Sequence, residues 1–328
     1  MRFSTLLACI GRQPLQRITR WACVIALWCA AIPAAHAQLI VSSFGTNDAR
    51  RYDATSGAFL STFATGGSMD HPTGILFGPD GNLYVASAFT DDVKRFNPIT
   101  GTFINIFASG SGLDSPNGMV FGPDGNLYVT SVNTNQVKRF NGTTGAFIDN
   151  FVNSGALNFP TGVVFGADGN LYLGSALTNS VKRYNGVTGA YLGDFASGGG
   201  LDGPNSIRFG PDGNLYVASS NTDQVKRFNG TTGAFMDNFA SGGGLDNPNG
   251  LLFGPDGYLY VASFNTDDVK RYNALTGAFV NTFASGGGLD GPTYMTFTPV
   301  PEPTSILFLG FGAGIHLALR TKRVRDGS

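Results

Sequence analysis

Chemistry at neutral pH needs ionisable side chains in company, and this chain offers few. Between Gln38 and Thr298 there is one histidine, His71, with no glutamate and no cysteine, and 20 aspartates face 13 lysines and arginines. His71 has no obvious acidic partner, and no Glu is available as a general base, so an enzyme is not the first expectation. The aspartates recur at fixed places. Asp70, Asp114, Asp202, Asp246 and Asp290 sit in loops ahead of a proline, with Asn158 breaking the series. Oxygen ligands of this type suit Ca²⁺, but one carboxylate per loop is not a cage, so they read as loop caps and no cofactor is expected. Asp80, Asp124, Asp168, Asp212 and Asp256 lie in Asp-Gly turns and read as turn residues.

Three further sets deserve a role. The residue after each loop proline is Thr73, Asn117, Thr161, Asn205, Asn249 and Thr293 in turn. That polar series either binds a ligand at a channel mouth or caps the loop backbone. A Lys-Arg pair recurs as Lys94-Arg95, Lys138-Arg139, Lys182-Arg183, Lys226-Arg227 and Lys270-Arg271. Neighbours in a strand point to opposite faces, so each pair cannot form one patch. The arginines are expected to pair with loop aspartates between structural units; the alternative is a ring of cations for an acidic polysaccharide. Finally, Arg208 stands where other units carry Leu76, Val120, Val164, Leu252 and Thr296. It would hold an anionic ligand, or pair with Asp202 or Asp212 of its own unit.

These sets recur because the sequence does. Phe-Gly-Pro-Asp-Gly-Asn-Leu-Tyr-Val begins at Phe77, Phe121 and Phe209, with close variants at Phe165 and Phe253, always 44 residues apart. Repeats of this length signal stacked supersecondary units. With 47 glycines and 27 phenylalanines, the chain alternates Gly-rich turns with aromatic strands, the mark of an all-β protein. In the second unit strands are predicted at Gly74–Phe77, Leu83–Ser87, Val93–Asn97 and Phe103–Phe107. Four strands per unit of this size describe a propeller blade. Leu39 to Phe297 falls one Gly-Pro-Asp-Gly-Asn turn short of six full units. The predicted fold is therefore an all-β, six-bladed β-propeller over 38–298, with Leu39–Ser43 and Pro292–Phe297 sharing one blade to close the ring. Pro-x-Gly, an apolar strand and then Pro-Asp-Gly-Asn-Leu-Tyr-Val resemble the NHL-repeat, YVTN-repeat and virginiamycin-B-lyase-like propellers over about 260 residues. The lyases of that group use a histidine with an acidic partner, and the gluconolactonase-like ones an acidic metal site with Glu; neither set has counterparts here.

The two ends read as addresses. Arg2, Arg12, Arg17 and Arg20 precede an apolar run from Trp21 to Ala31, and Ala35-His36-Ala37 follows as a small-x-small cleavage site. That order is a secretory signal over 1–37, cleaved after Ala37. All three cysteines fall inside it. At the other end come Pro301-Glu302-Pro303, an apolar stretch over 306–319, and Arg320, Lys322, Arg323 and Arg325. Residues 299–328 resemble a PEP-CTERM sorting tail, which implies recognition and removal by an exosortase-type membrane protease. The tail would hold the protein transiently at the inner membrane before release to the cell surface or matrix. The alternative at each end is a retained membrane anchor.

A mildly acidic domain without a basic patch excludes nucleic acid, whose phosphates demand clustered cations. The leading expectation is an exported, non-catalytic propeller that binds exopolysaccharide or a surface protein. The alternatives are a propeller-type lyase or lactone hydrolase, and a structural spacer. Thr73, Asn117, Thr161, Asn205, Asn249, Thr293, Arg208 and His71 are the candidate binding residues.

Overall fold

The computed structural model describes residues 37–299. The basic and apolar N-terminal stretch, Pro301, Glu302, Pro303 and the apolar run over 306–319 lie outside the described residues; Ala37 is the first one inside. Twenty-four strands form six separate four-stranded antiparallel sheets, and these are the six blades of a propeller. The second blade runs β4 (Pro72–Phe77), β5 (Leu83–Ser87), β6 (Asp92–Phe96) and β7 (Phe103–Ser109), within two residues of the predicted bounds. The sixteen strands β8 to β23 repeat this set four times, with innermost strands β8 (Pro116–Phe121), β12 (Pro160–Phe165), β16 (Pro204–Phe209) and β20 (Pro248–Phe253).

The first blade is built from both ends of the chain. Its order is β24 (Pro292–Phe297), β1 (Gln38–Ser43), β2 (Asp48–Asp53) and β3 (Phe59–Ala64). Leu39 pairs with Phe297, Ile40 with Thr296 and Val41 with Met295. Where other blades have a Gly-Pro-Asp-Gly-Asn turn, Gln38 and Thr298 hydrogen-bond each other instead, Thr298 N–H to Gln38 O at 2.8 Å. The predicted closure is thus the observed one.

Blades hold together because each sheet is apolar on both faces. In β5, Leu83 and Val85 pack toward the first blade with Ile40, Phe63 and Ile75. Tyr84 and Ala86, pointing the other way, pack toward the third with Met119, Leu127 and Phe140. A strand buried on both faces loses the alternating pattern and reads as a continuous apolar run. The innermost strands touch their neighbours, β4 with β8 and β24, and so line a central channel.

Polar straps reinforce the packing. The residue in the loop between the second and third strands is Asn47, Asp91, Asn135, Asn179, Asp223 or Asp267, each with φ between 50° and 60°. Asn and Asp tolerate this left-handed conformation. Each turns its Oδ1 to the N–H of the next blade's residue: His71, Ser115, Phe159, Gly203, Asn247 and Gly291, at 2.7–2.9 Å. On the opposite face, Gly101 (φ 70°) presses against the preceding blade, where an added Cβ would meet Phe63 O at 1.9 Å. Only glycine satisfies both demands.

The charge pairs correct one expectation. Arg95 reaches Asp80 of its own blade at 3.3 Å rather than a loop of the next blade, and Arg139, Arg227 and Arg271 approach Asp124, Asp212 and Asp256 in the same way. The register decides this: Arg95 lies directly opposite Tyr84, whose hydroxyl also donates to Asp80, at 2.9 Å. The lysines do not form a ring for polysaccharide either. Lys94, Lys138, Lys182, Lys226 and Lys270 are all buried, and Lys94 pairs with Asp92 at 2.8 Å. Burial alone would raise the Asp80 pKa, but Asn82 (side chain and backbone), Tyr84 and Arg95 overcome it and hold the carboxyl below its usual range. Asp124, Asp168 and Asp212 are held low in the same manner. Burial first, with the adjacent carboxylate, pushes Tyr84, Tyr128, Tyr172 and Tyr216 up to about 12.

Candidate functional site: the channel and its mouth

Call the top face the one that carries the inter-blade loops and the straps. The bottom face carries the Asp-Gly turns and both ends of the described chain. Loops that meet at the top differ from blade to blade, whereas the bottom turns are nearly copies. The strap-receiving position alone runs His71, Ser115, Phe159, Gly203, Asn247, Gly291.

That variation places rings around the mouth. His71 stacks on Phe89 at 3.9 Å between centroids, and Phe44 meets His71 edge-on at 4.3 Å. Phe264 continues the group, 5.7 Å from Phe44. Phe89 is 63% exposed and Phe159 42%, large values for phenylalanine, so these rings are turned to solvent rather than to the core. Over the fourth to sixth blades lies a cavity of about 260 Å³. Its rim is Phe159, Leu177 and Phe264, and its polar wall is Asn205, Asn221, Asn247 and Asn249.

His71 is not without an acid. Its Nδ1 lies 2.7 Å from Asp70 Oδ1, the residue immediately before it. Adjacent residues normally diverge, so sequence alone does not mark Asp70 as the partner; the left-handed turn at His71 (φ 52°) folds the ring back. The other loop aspartates hold neighbouring amides: Asp114 accepts from Asn133, Asp202 from Asn221 and Asp246 from Asn265.

The Thr/Asn series divides in two. Thr73, Thr161 and Thr293 are buried and donate to the next blade's proline carbonyl, Pro116, Pro204 and Pro72, at 2.7–3.0 Å. Asn117 Oδ1 accepts a bond from Tyr294 at 3.0 Å. Asn205 Oδ1 and Asn249 Oδ1 are buried with no partner. Buried polar atoms are nearly always satisfied, so two orphans on one cavity wall call for a donor.

Tyr294 and Arg208 are the departures that shape the channel. Tyr294 stands in a column otherwise filled by Gly74, Gly118, Gly162, Ser206 and Gly250. Its ring packs beside Ile75 of the second blade, and its hydroxyl reaches Asn117 of the third. It thereby spans from the first blade to the third, and burial pushes its pKa up. Arg208 pairs with neither Asp202 nor Asp212. Asp212 is engaged by Asn214, Tyr216 and Arg227 of the same blade. Arg208 instead turns to the sixth blade, where Nε donates to Leu251 O at 3.4 Å. Comparing the six units column by column marks His71, Phe159, Arg208 and Tyr294 as departures from the repeat; their convergence is a property of the ring.

Virginiamycin B lyase from Staphylococcus aureus superposes with a TM-score of 0.59 at 16% identity, over 80% of this chain and 87% of its own. The likeness is one of fold. A catalytically inactive histidine-to-alanine variant of that lyase, with quinupristin, gives 0.58 at 14%, over 81% and 94%. The nidogen/laminin complex contributes a chain at 0.64 and 15%, over 80% and 99%. A Bacteroides caccae protein of unknown function reaches 0.65 at 14%, over 82% and 100%. No family model matches the chain. No curated protein matches it either.

Proposed function

We propose that this protein is an exported, non-catalytic propeller that binds a glycan on its top face. The observation that carries the reading is the mouth itself: the exposed rings of Phe89 and Phe159 and the half-buried rings of Phe44, His71 and Phe264, beside a cavity walled by asparagine amides. Sites of this composition bind small ligands through apolar faces and a few convergent polar groups. Sugars present both, an apolar ring face and hydroxyls. The two terminal sequences support export and surface sorting, with an exosortase-type protease as the partner of the tail. Both ends of the described chain lie on the bottom face, opposite the mouth. A glycan array probed with the full chain tests the reading. Binding to a polysaccharide, weakened at least tenfold by Phe159→Ala with Phe264→Ala, is expected; no bound glycan refutes it.

One observation favours a second reading, a lyase or lactone hydrolase. A histidine oriented by a carboxylate is the usual frame of a general base, and His71 with Asp70 has that geometry. Turnover of a lactone or uronic-acid substrate that is lost in His71→Ala would establish it over the first.

A further inference from the structure

The six innermost strands carry a single charged residue among them, and it is Arg208. No acid lies on that wall, and Arg208 makes no ion pair among the described residues. It stands half-buried on the channel wall, and the burial it has pulls its pKa down, with Tyr294 of the first blade acting in the opposite sense. A half-buried cation that faces a channel without a counter-charge favours a bound anion.

The surroundings say what kind of anion. Arg208 lies three residues further along β16 than Asn205, beyond the bulge between Pro204 and Ile207, and so deeper in the channel. Ser206 and Arg208, two apart, lie on the same side of β16. Ser206 Oγ is buried and unpartnered, as are Asn205 Oδ1 and Asn249 Oδ1 nearer the mouth. Tyr294 reaches across the first three blades to Asn117, while the cavity opens over the fourth to sixth, the half to which Arg208 belongs. Phe159, Phe264 and the two acceptors that lack donors line the cavity, and the Ser206 hydroxyl and the Arg208 cation, which lacks an anion, stand further along β16 below it.

We infer that the channel takes a sugar acid, with its carboxylate toward Arg208, its hydroxyls donating to Asn205 and Asn249, and its apolar face against the Phe159–Phe264 rim. This rests on the glycan-binding reading of the top face and gives it a ligand class. The test compares galacturonate with galactose, which differ at the carboxylate, by calorimetry on the full chain. Galacturonate is expected to bind at least tenfold more tightly. Arg208→Leu, which installs the residue found at Leu76 and Leu252, should abolish that preference. It should also raise the melting temperature of the unliganded protein, because an unpaired charge leaves the channel, whereas galacturonate should raise the melting temperature only of the unsubstituted protein. Arg208→Lys should keep part of the preference. The inference is overturned if the two sugars bind alike, if neither binds, or if Arg208→Leu binds galacturonate unchanged. Galacturonate and galactose binding alike, with glycans still retained on an array, would leave the glycan reading standing while the sugar-acid assignment fell.

Discussion

Met295 and Met119 occupy the same column of the repeat, one on the closing strand β24 and one in the middle of the chain. Met295 is 2% exposed and packs with Leu39, Val41, Tyr52 and Tyr260; Met119 is 6% exposed and packs with Tyr84, Leu127 and Phe140. Truncating either to alanine removes the same atoms from an equivalent inter-blade core. A buried Met→Ala change costs about 2–5 kcal/mol. For a domain of this size each kcal/mol lowers Tm by about 2–4 °C, so a fall of roughly 5–20 °C is expected. If the ring is one cooperative unit closed by β24, both variants should melt in a single transition with similar shifts. Differential scanning calorimetry decides. The closure argument fails if Met119→Ala shows its full shift while Met295→Ala moves the main transition by less than about 2 °C, or splits off an early one. Deleting 292–299 is the harsher arm. It opens the edge of β1 and uncovers the apolar face of the second blade, and should abolish cooperative folding.

Asn135→Ala removes the acceptor for Phe159 N–H and strains an alanine at φ 55°, which should cost about 1–3 kcal/mol and speed hydrogen exchange at the Phe159 amide more than tenfold. Asn135→Gly, which relieves the strain but not the lost bond, should recover only part of the stability. Acid should unfold the protein through its bottom-face carboxylates. Asp80, Asp124, Asp168 and Asp212 have pKa values lower in the fold than in the unfolded chain. Their stabilisation is therefore complete above about pH 4 and is lost as pH falls through the folded values. Asp124→Asn with Asp212→Asn should flatten the fall of Tm below that pH, and an unchanged slope would contradict the assignment. Mass spectrometry of protein from its native host should find a product of roughly Gln38 to Val300; peptides from the 306–319 stretch in surface protein would speak against removal of the tail.

The sequence by itself determined the ring. A strict 44-residue spacing fixes identical blades, and a shortfall of one turn between Leu39 and Phe297 leaves a single way to close them. Turn chemistry was equally legible, because Pro-Asp-Gly-Asn acts within a few residues, and the Asp80 carboxylate holds the N–H only two positions on. What lay beyond the sequence was every contact whose partners come from different blades. Nothing in one unit says that Asn47 supports His71, that Tyr294 crosses the second blade to Asn117, or that Arg208 turns to Leu251 rather than Asp212. A repeat encodes the path of its own backbone. Which side chains converge is decided by the angle at which six blades meet around an axis, and that angle exists only once the ring is closed. The same holds for His71 and Asp70: their adjacency was plain, but a strand would have parted them, and the left-handed turn that joins them is imposed by the strap from the preceding blade.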